Sequence, residues 1–550
     1  MTPDQVKLVQ QSFSKVAPIS DQAAVLFYDR LFEVAPQVKS MFPADLTEQR
    51  KKLMATLAVV VGGLSDLPSI LPAASALAKR HVAYGAKPEH YPVVGSALLW
   101  TLEKGLGDGW TPEVASAWTT AYGTLSGFMI SEAYGSSQAA VWEALMSESL
   151  VIVGNGMAAA RLVDELAKVA LGRYAVAVIG DEPRLAYNRV LLSSVLAGET
   201  ASHEIELRPA NWWRDRGVTL KYGCTVGEVD VGRRELKIAN EESVSFSKLV
   251  LATGSNPLRL NVPGVELSGV HTFRDSRDVD LLLTLAAGKK RVVVVGGGLL
   301  GLEAAYGLAK AGAPVTLLHL MDRLMERQLD APAGALLKSL VEKKGIKVLL
   351  NASTSRILGE NRVEGVELND GQRIDADAVI LAAGIRPNIM LAKEAGIPVN
   401  RGIVVNDQLQ TGADGIFALG ECAEHRGICY GLVEPAYEQA KVLAQHLAGR
   451  NATYGGSVTA TNLKVSGVGV FSAGEFLGND RSEAIVLNDF RRGIYKKLVI
   501  EDGRLTGAVL VGDTADALWY LGLIRNRENI AAVRKDMMFG RPAAPLAAAA

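Results

Sequence analysis

Over the first 135 residues apolar side chains recur every three or four positions, the spacing of one buried helix face. Val6, Val9, Phe13 and Val16 form the first such stripe, ended by Pro18. Val25, Leu26, Tyr28, Leu31 and Phe32 form the second, interrupted by Pro36. Met41-Phe42-Pro43 makes a turn, and a third helix is expected from Thr47 through Leu53, Leu57 and Val61 to Gly62-Gly63. Pro72 is expected to open a fourth helix carrying Leu77, Ala78 and His81. Pro88 and Pro92 bracket the start of a fifth, with Val94, Leu98, Leu99 and Leu102. Thr2-Pro3-Asp4-Gln5 and Thr111-Pro112-Glu113 read as start signals for the first helix and a long last one. Gly135-Ser136-Ser137 then breaks the pattern, and a short helix is expected over 139–145.

Beyond residue 148 the rhythm changes. Leu150-Val151-Ile152-Val153, Ala175 to Gly180, Val292-Val293-Val294-Val295 and Val315-Thr316-Leu317-Leu318 are short, nearly continuous apolar runs, as in parallel strands buried on both faces. Helical patterns with Leu162, Val163 and Leu166, and with Ala304, Ala305 and Leu308, alternate with them. The fold class is therefore multidomain, an all-α part followed by an α/β part, and 550 residues are too many for one core.

Composition narrows the class. Apolar residues are 49%, charged residues 21% and the net charge is −1, so nothing favours nucleic acid or an anionic membrane as partner. The start of the chain has no basic or apolar leader pattern, no run reaches about 18 apolar residues, and three scattered cysteines suit a reducing compartment. A cytoplasmic location is expected.

Two histidines of the helical part are candidate metal ligands. His90 lies between two prolines and is poorly placed on a regular helix; His81 follows Ala74, Leu77 and Ala78 on one apolar stripe. From spacing alone His81 is either a core histidine or a ligand. The segments Leu26-Phe27-Tyr28-Asp29-Arg30-Leu31-Phe32, Met41-Phe42, Gln49-Arg50-Lys51-Lys52-Leu53, and His81-Val82 through Pro88-Glu89-His90-Tyr91-Pro92-Val93-Val94-Gly95 resemble the globin of bacterial flavohaemoglobins. That resemblance implies a haem b held by His81, Tyr28 and Gln49 as distal hydrogen-bond donors, Phe42 wedging the ring and Leu53 packed over the ligand. It also implies a Tyr91–Glu132 pair holding the other imidazole nitrogen, which would enrich the iron in electron density. No Cys-x-x-Cys-His is present, so the haem is expected to be non-covalent.

Gly154-Asn155-Gly156-Met157-Ala158-Ala159 follows a strand and opens a helix, the G-x-G-x-x-A form of a dinucleotide turn with Ala159 last, and the next strand ends near Glu182. Gly296-Gly297-Gly298-Leu299-Leu300-Gly301, followed by Glu303, is a second copy. Two copies predict two dinucleotides, a bound flavin and an exchanging nicotinamide. Leu251-Ala252-Thr253-Gly254-Ser255 and Leu381-Ala382-Ala383-Gly384 are expected where the chain crosses between the two binding domains, and Glu421 at a strand end could bond the flavin's ribityl chain.

The segments Glu182-Pro183 through Tyr187-Asn188-Arg189, His319-Leu320-Met321 through Leu324-Met325-Glu326-Arg327-Gln328-Leu329-Asp330, and Gly420-Glu421-Cys422 through Gly431-Leu432-Val433 resemble the pyridine nucleotide-disulfide oxidoreductase class. Within it they are most similar to the flavin-containing reductase part of assimilatory nitrite reductase large subunits. The resemblance implies a glutathione reductase-like flavoprotein in which Gly154, Gly156, Glu182, Arg189 and Glu421 contact FAD. Gly296, Gly298, Gly301 and Glu303 would lie at the nicotinamide site, and the last part would be a small α+β domain. No cysteine pair follows the first turn, so no redox disulfide is expected. Cys422, His425 and Cys429 lack a fourth ligand, and no metal is expected there. The cysteine clusters of nitrite reductases are absent from these 550 residues, so six-electron nitrite reduction is not expected of them. Flavohaemoglobins carry a different, β-barrel reductase; this chain joins the globin of one family to the reductase of another.

The expected boundaries are globin 1–135, linker 136–149, FAD domain 150–256 with 376–450, NAD(P) domain 257–375, C-terminal domain 451–540 and a tail from 541 to 550. NADH is expected as donor, with NADPH open because His319 stands where an acid would select NADH and Arg323 and Arg327 could reach a 2′-phosphate. The expected activity is nitric oxide dioxygenation, with O2, NO and NAD(P)H as small-molecule partners. Alternatives are an electron-transfer flavoprotein serving a nitrate or nitrite reductase, and a globin sensor that gates reductase turnover. The sequence carries no signal of oligomeric state.

Overall fold

The computed structural model describes residues 3–43, 45–88, 90–134, 148–239, 243–465 and 467–541. Thr2, the short helix expected over 139–145 and the tail at 542–550 lie outside the described residues. The chain divides into two compact units, Met1–Glu148 with Gly172–Ala175, and Ser149–Leu171 with Val176–Ala550.

The first unit is helical: α1 (Pro3–Val16), α2 (Ser20–Val34), α3 (Thr47–Gly63), α4 (Leu67–Ala83), α5 (His90–Leu106) and α6 (Pro112–Tyr134). Helix α4 starts earlier than Pro72 suggested. A proline stands in its first two positions and Pro72 lies inside it. Pro72 is close enough to the start that the amide bond it cannot make belongs to the first turns, and packing on α6 holds the rest. Helices α1 and α6 are joined by a buried bond from Trp118 Nε1 to Ser12 Oγ at 2.8 Å. Among the described residues, buried apolar side chains of this unit form two clusters, with Tyr122 packed against both. One contains Phe27, Tyr28, Leu31, Leu98 and Trp118; the other contains Ala74, Ala78, Tyr91, Met129 and Ile130.

The second unit holds two five-stranded sheets of Rossmann type. One has the order Ile416–Ala418, Lys248–Leu251, Glu148–Val153, Tyr174–Gly180, Thr219–Tyr222. The other has the order Lys347–Leu349, Val315–Leu318, Val292–Val295, Ala378–Leu381, Val270–Thr272 and is parallel throughout. Val292 to Val295 are all buried, as expected of a strand covered on both faces. The crossing segments pair antiparallel, Ser255–Pro257 against Ile385–Pro387.

A third sheet of five antiparallel strands, between Ala460 and Val511, carries the helix Ala517–Asn526 on one face. Its other face joins the core of the second Rossmann sheet through Val468, Val470, Tyr495, Val509 and Val511. Asp330 anchors this contact. Its carboxylate caps the helix Ala331–Glu342 through Ala333 N at 3.2 Å, accepts from Tyr495 Oη at 2.7 Å and lies 3.5 Å from Lys497 Nζ. Asp330→Ala removes the cap and strands a buried phenol and an ammonium. It is expected to lower the stability of the reductase unit by about 2–4 kcal/mol, and Tyr495→Phe by about 1 kcal/mol, measured as calorimetric Tm shifts.

Candidate functional site

In the first unit α2 buries Tyr28 and α3 brings Gln49 to it. Tyr28 Oη donates to the backbone carbonyl of Gln49 at 3.5 Å, not to its side chain. The Phe42 and Phe32 rings lie 5.6 and 5.9 Å from the Tyr28 ring. Burial pushes the Tyr28 phenol up to about 12, partly offset by Arg50, so it keeps its proton and remains a donor. Leu53, one turn beyond Gln49, packs half-buried against the same cluster. His81 sits in the last turn of α4, half-buried. Burial and the neighbouring Arg80 hold its pKa below the ordinary value, which favours the neutral, ligating imidazole.

Tyr91 lies beside His81, with ring centroids 6.1 Å apart. Its hydroxyl is buried without a hydrogen-bond partner among the described residues, and burial pushes it up to about 12. Glu132, expected with Tyr91 at the other imidazole nitrogen, is exposed on α6 and accepts from Ser75 Oγ of α4 at 2.7 Å. The two clusters, a buried phenol without a partner among the described residues and the half-buried apolar Phe42, Leu53 and Leu77 fit a haem, which His81 would hold.

In the second unit Gly154 has φ +113°, and a Cβ there would lie 2.1 Å from the carbonyl oxygen of Ala252. Gly156 caps the helix Met157–Val169 with extended backbone and no side-chain bond, and a Cβ on it would meet nothing within 4 Å. Ala159 is buried in that helix's first turn. The open space before uncapped amides fits a pyrophosphate. Glu182 accepts from Tyr187 Oη at 2.7 Å and pairs with Arg189. Thr253 Oγ1 donates to the carbonyl of Asn388 at 2.7 Å, and the carbonyls of Gly254 and Gly384 accept from Asn388 and Leu258.

Glu421 lies in the turn Gly420–Cys422, accepts from Ser255 Oγ at 2.7 Å and pairs with Arg274. Gln439, fully buried, accepts from Gly420 N at 2.7 Å and so fixes this turn. Arg274 and Ser255 escaped the sequence reading. Arg274 also accepts, at its carbonyl, from Arg189 Nη1 at 3.1 Å, so one chain of contacts links both acids. The signal was the capping box Asp275–Asp278, which starts a helix directly after Arg274 and so places it at the end of a sheet.

The second turn repeats the first. A Cβ on Gly296 (φ +126°) would lie 2.2 Å from the Ala382 carbonyl oxygen, one on Gly301 1.8 Å from that of Gly296, and one on Gly298 would be in open space. Glu303 is buried one turn into the helix Leu299–Lys310, and burial lifts its carboxyl to about 8. Cys422, His425 and Cys429 do not converge. His425 Nε2 bonds Asp407 at 2.9 Å, Cys422 Sγ is 3.3 Å from the carbonyl of Leu251, and no metal-holding cluster occurs among the described residues.

The chain belongs to the pyridine nucleotide-disulphide oxidoreductase family, whose profile matches residues 148–446. The rubredoxin NAD+ reductase C-terminal domain matches 460–528 and the globin family matches 25–129, so this is an oxidoreductase with a globin domain at its N-terminal side. It is 46% identical over 389 residues to a nitrite reductase [NAD(P)H] of Bacillus subtilis, covering 70% of this chain and 48% of that protein. It is 40% identical over 403 residues to the assimilatory nitrate reductase electron transfer subunit of the same organism, covering 73% and 52%. The chain thus spans about half the length of these two curated relatives. Among solved structures, putidaredoxin reductase in covalent complex with putidaredoxin superposes with a TM-score of 0.64 at 26% identity, covering 70% of this chain and 94% of that one. No helix among the described residues is long and apolar enough to cross a membrane.

Glu303 generates a pH test. The unfolded chain releases this proton near 4.5 and the fold keeps it to about 8, so the native state binds the extra proton and stability falls as pH rises through that window. Glu303→Gln cannot ionise. It is expected to raise Tm by several degrees at about pH 8.5 and to change it little at about pH 5, read by calorimetry without added nucleotide.

Proposed function

We propose that the chain is a cytoplasmic NAD(P)H-dependent flavohaem oxidoreductase whose reaction is nitric oxide dioxygenation. Two nitric oxide and two dioxygen molecules, with one NAD(P)H, give two nitrate ions, NAD(P)+ and a proton. Bound FAD would convert a two-electron hydride into single electrons, and bound haem would supply the centre that accepts them and activates dioxygen.

The residues contribute in defined ways. His81, held neutral by burial, offers an unprotonated nitrogen to iron. Tyr28, held protonated, offers a hydrogen bond to negative charge developing on oxygen, with Gln49 beside it. Phe32, Phe42 and Leu53 keep water from that side. The open amides at Gly156 and Gly298 receive the two pyrophosphates. Glu182 and Glu421, oriented by Tyr187, Arg189, Ser255 and Arg274, bind the hydroxyls of the flavin nucleotide.

The observation that carries this reading is a buried, protonated Tyr28 beside Gln49 in the same chain as two glycine cradles. A second reading, an electron-transfer component for a separate nitrate or nitrite reductase with a protective or oxygen-supplying globin, is favoured by the identity to the two Bacillus subtilis proteins. An electrode assay tests the first reading. The purified holoprotein is expected to consume nitric oxide with dioxygen and NADH and to form one nitrate per nitric oxide. His81→Ala should abolish this while NADH oxidation by artificial acceptors persists, and Tyr28→Phe should slow it about tenfold or more. Nitric oxide removal indifferent to His81→Ala overturns the reading.

A further inference from the structure

The strand Val315–Leu318 ends at His319, 23 residues after Gly296, where a Rossmann fold that binds NADH places an acid on the adenosine ribose. The imidazole is buried and already committed. Nδ1 accepts from Gly297 N at 2.9 Å, so the ring proton resides on Nε2, which meets Glu326 Oε2 at 3.0 Å. Glu326 is brought there by a tight turn. Met325, a fully buried non-glycine residue, takes φ +52° and donates its amide to the Gly297 carbonyl at 3.0 Å. Both backbone groups of Gly297 therefore hold this arrangement, and left-handed strain at Met325 is spent on aiming the neighbouring carboxylate. The Glu326 side chain is 23% exposed, and its partner His319 holds Gly297, the residue before Gly298, where a Cβ would meet nothing within 4 Å.

We propose that Glu326, positioned by His319, is the acid that reads the adenosine ribose of the nicotinamide dinucleotide and makes this site selective for NADH over NADPH. The inference deepens the NAD(P)H reading above and rests on it. The carboxylate accepts from a 2′-hydroxyl and repels a 2′-phosphate. The cations expected from the sequence to welcome that phosphate are poorly disposed: Arg323 Nε donates to the Leu329 carbonyl at 3.2 Å and its Nη1 pairs with Asp322 at 3.0 Å. Arg327 is 86% exposed, and its Nε is 3.9 Å from Glu326.

The test is calorimetric titration of the FAD-loaded full chain with ADP-ribose and with its 2′-phosphate, which need no turnover. The parent is expected to bind ADP-ribose at least about tenfold more tightly. Glu326→Gln should shrink that ratio about tenfold, Glu326→Asp should keep its direction, and Arg327→Ala should not reduce it. A parent that prefers the 2′-phosphate, or a ratio unmoved by Glu326→Gln, overturns the proposal while leaving the dinucleotide site intact. Failure of the parent to bind either probe overturns the dinucleotide reading itself, and the proposal with it.

Discussion

A side chain at residue 154 would drive its Cβ to 2.1 Å from one strand's terminal carbonyl, and one at 296 would reach 2.2 Å from another's. That contact is the constraint on which the reductase unit depends, and the chain meets it twice. Each time only glycine lets the backbone leave a buried strand, pass this close to its neighbour and enter a helix with its first amides uncovered. The rest is arranged around those amides: Glu182 and Glu421 with their arginines at the first turn, Glu303, His319 and Glu326 at the second. The antiparallel sheet is tied in through Asp330, at the end of the same loop that carries Glu326.

The globin unit solves a different problem. Among the described residues its buried apolar side chains gather into two clusters, each containing a tyrosine whose hydroxyl burial keeps protonated. One of these hydroxyls lies against a helix carbonyl and the other has no partner among the described residues. Unsatisfied buried polarity beside half-buried apolar surface is costly in a finished core and reasonable in a pocket made for a large cofactor. Burial also lowers the His81 pKa, which favours the neutral imidazole that a metal ligand must be.

Much of this was legible in the residues, for identifiable reasons. Valine runs followed by glycine turns are local, so both Rossmann turns could be placed from order alone. Proline was less reliable: Pro72 read as a helix start because its lost bond is a local fact, whereas packing on α6 is not. The misses were long-range contacts. The bond from Ser75 to Glu132, 57 positions apart, has no local signal. Arg274 reaches Glu421 across 147 positions, and no motif announces that. His319 reads as standing where an acid would, and its carboxylate partner Glu326 follows a left-handed methionine that spacing cannot foresee.

Under the proposed function, electrons entering from NADH at the reductase would reach a haem of the same chain. An anaerobic absorption spectrum after NADH is added to dilute holoprotein tests it directly. Flavin bleaching is expected to be followed by first-order conversion of the haem bands from ferric to ferrous, at a rate independent of protein concentration. A bleached flavin beside haem that stays ferric, or ferrous haem formed only as protein concentration rises, would contradict it.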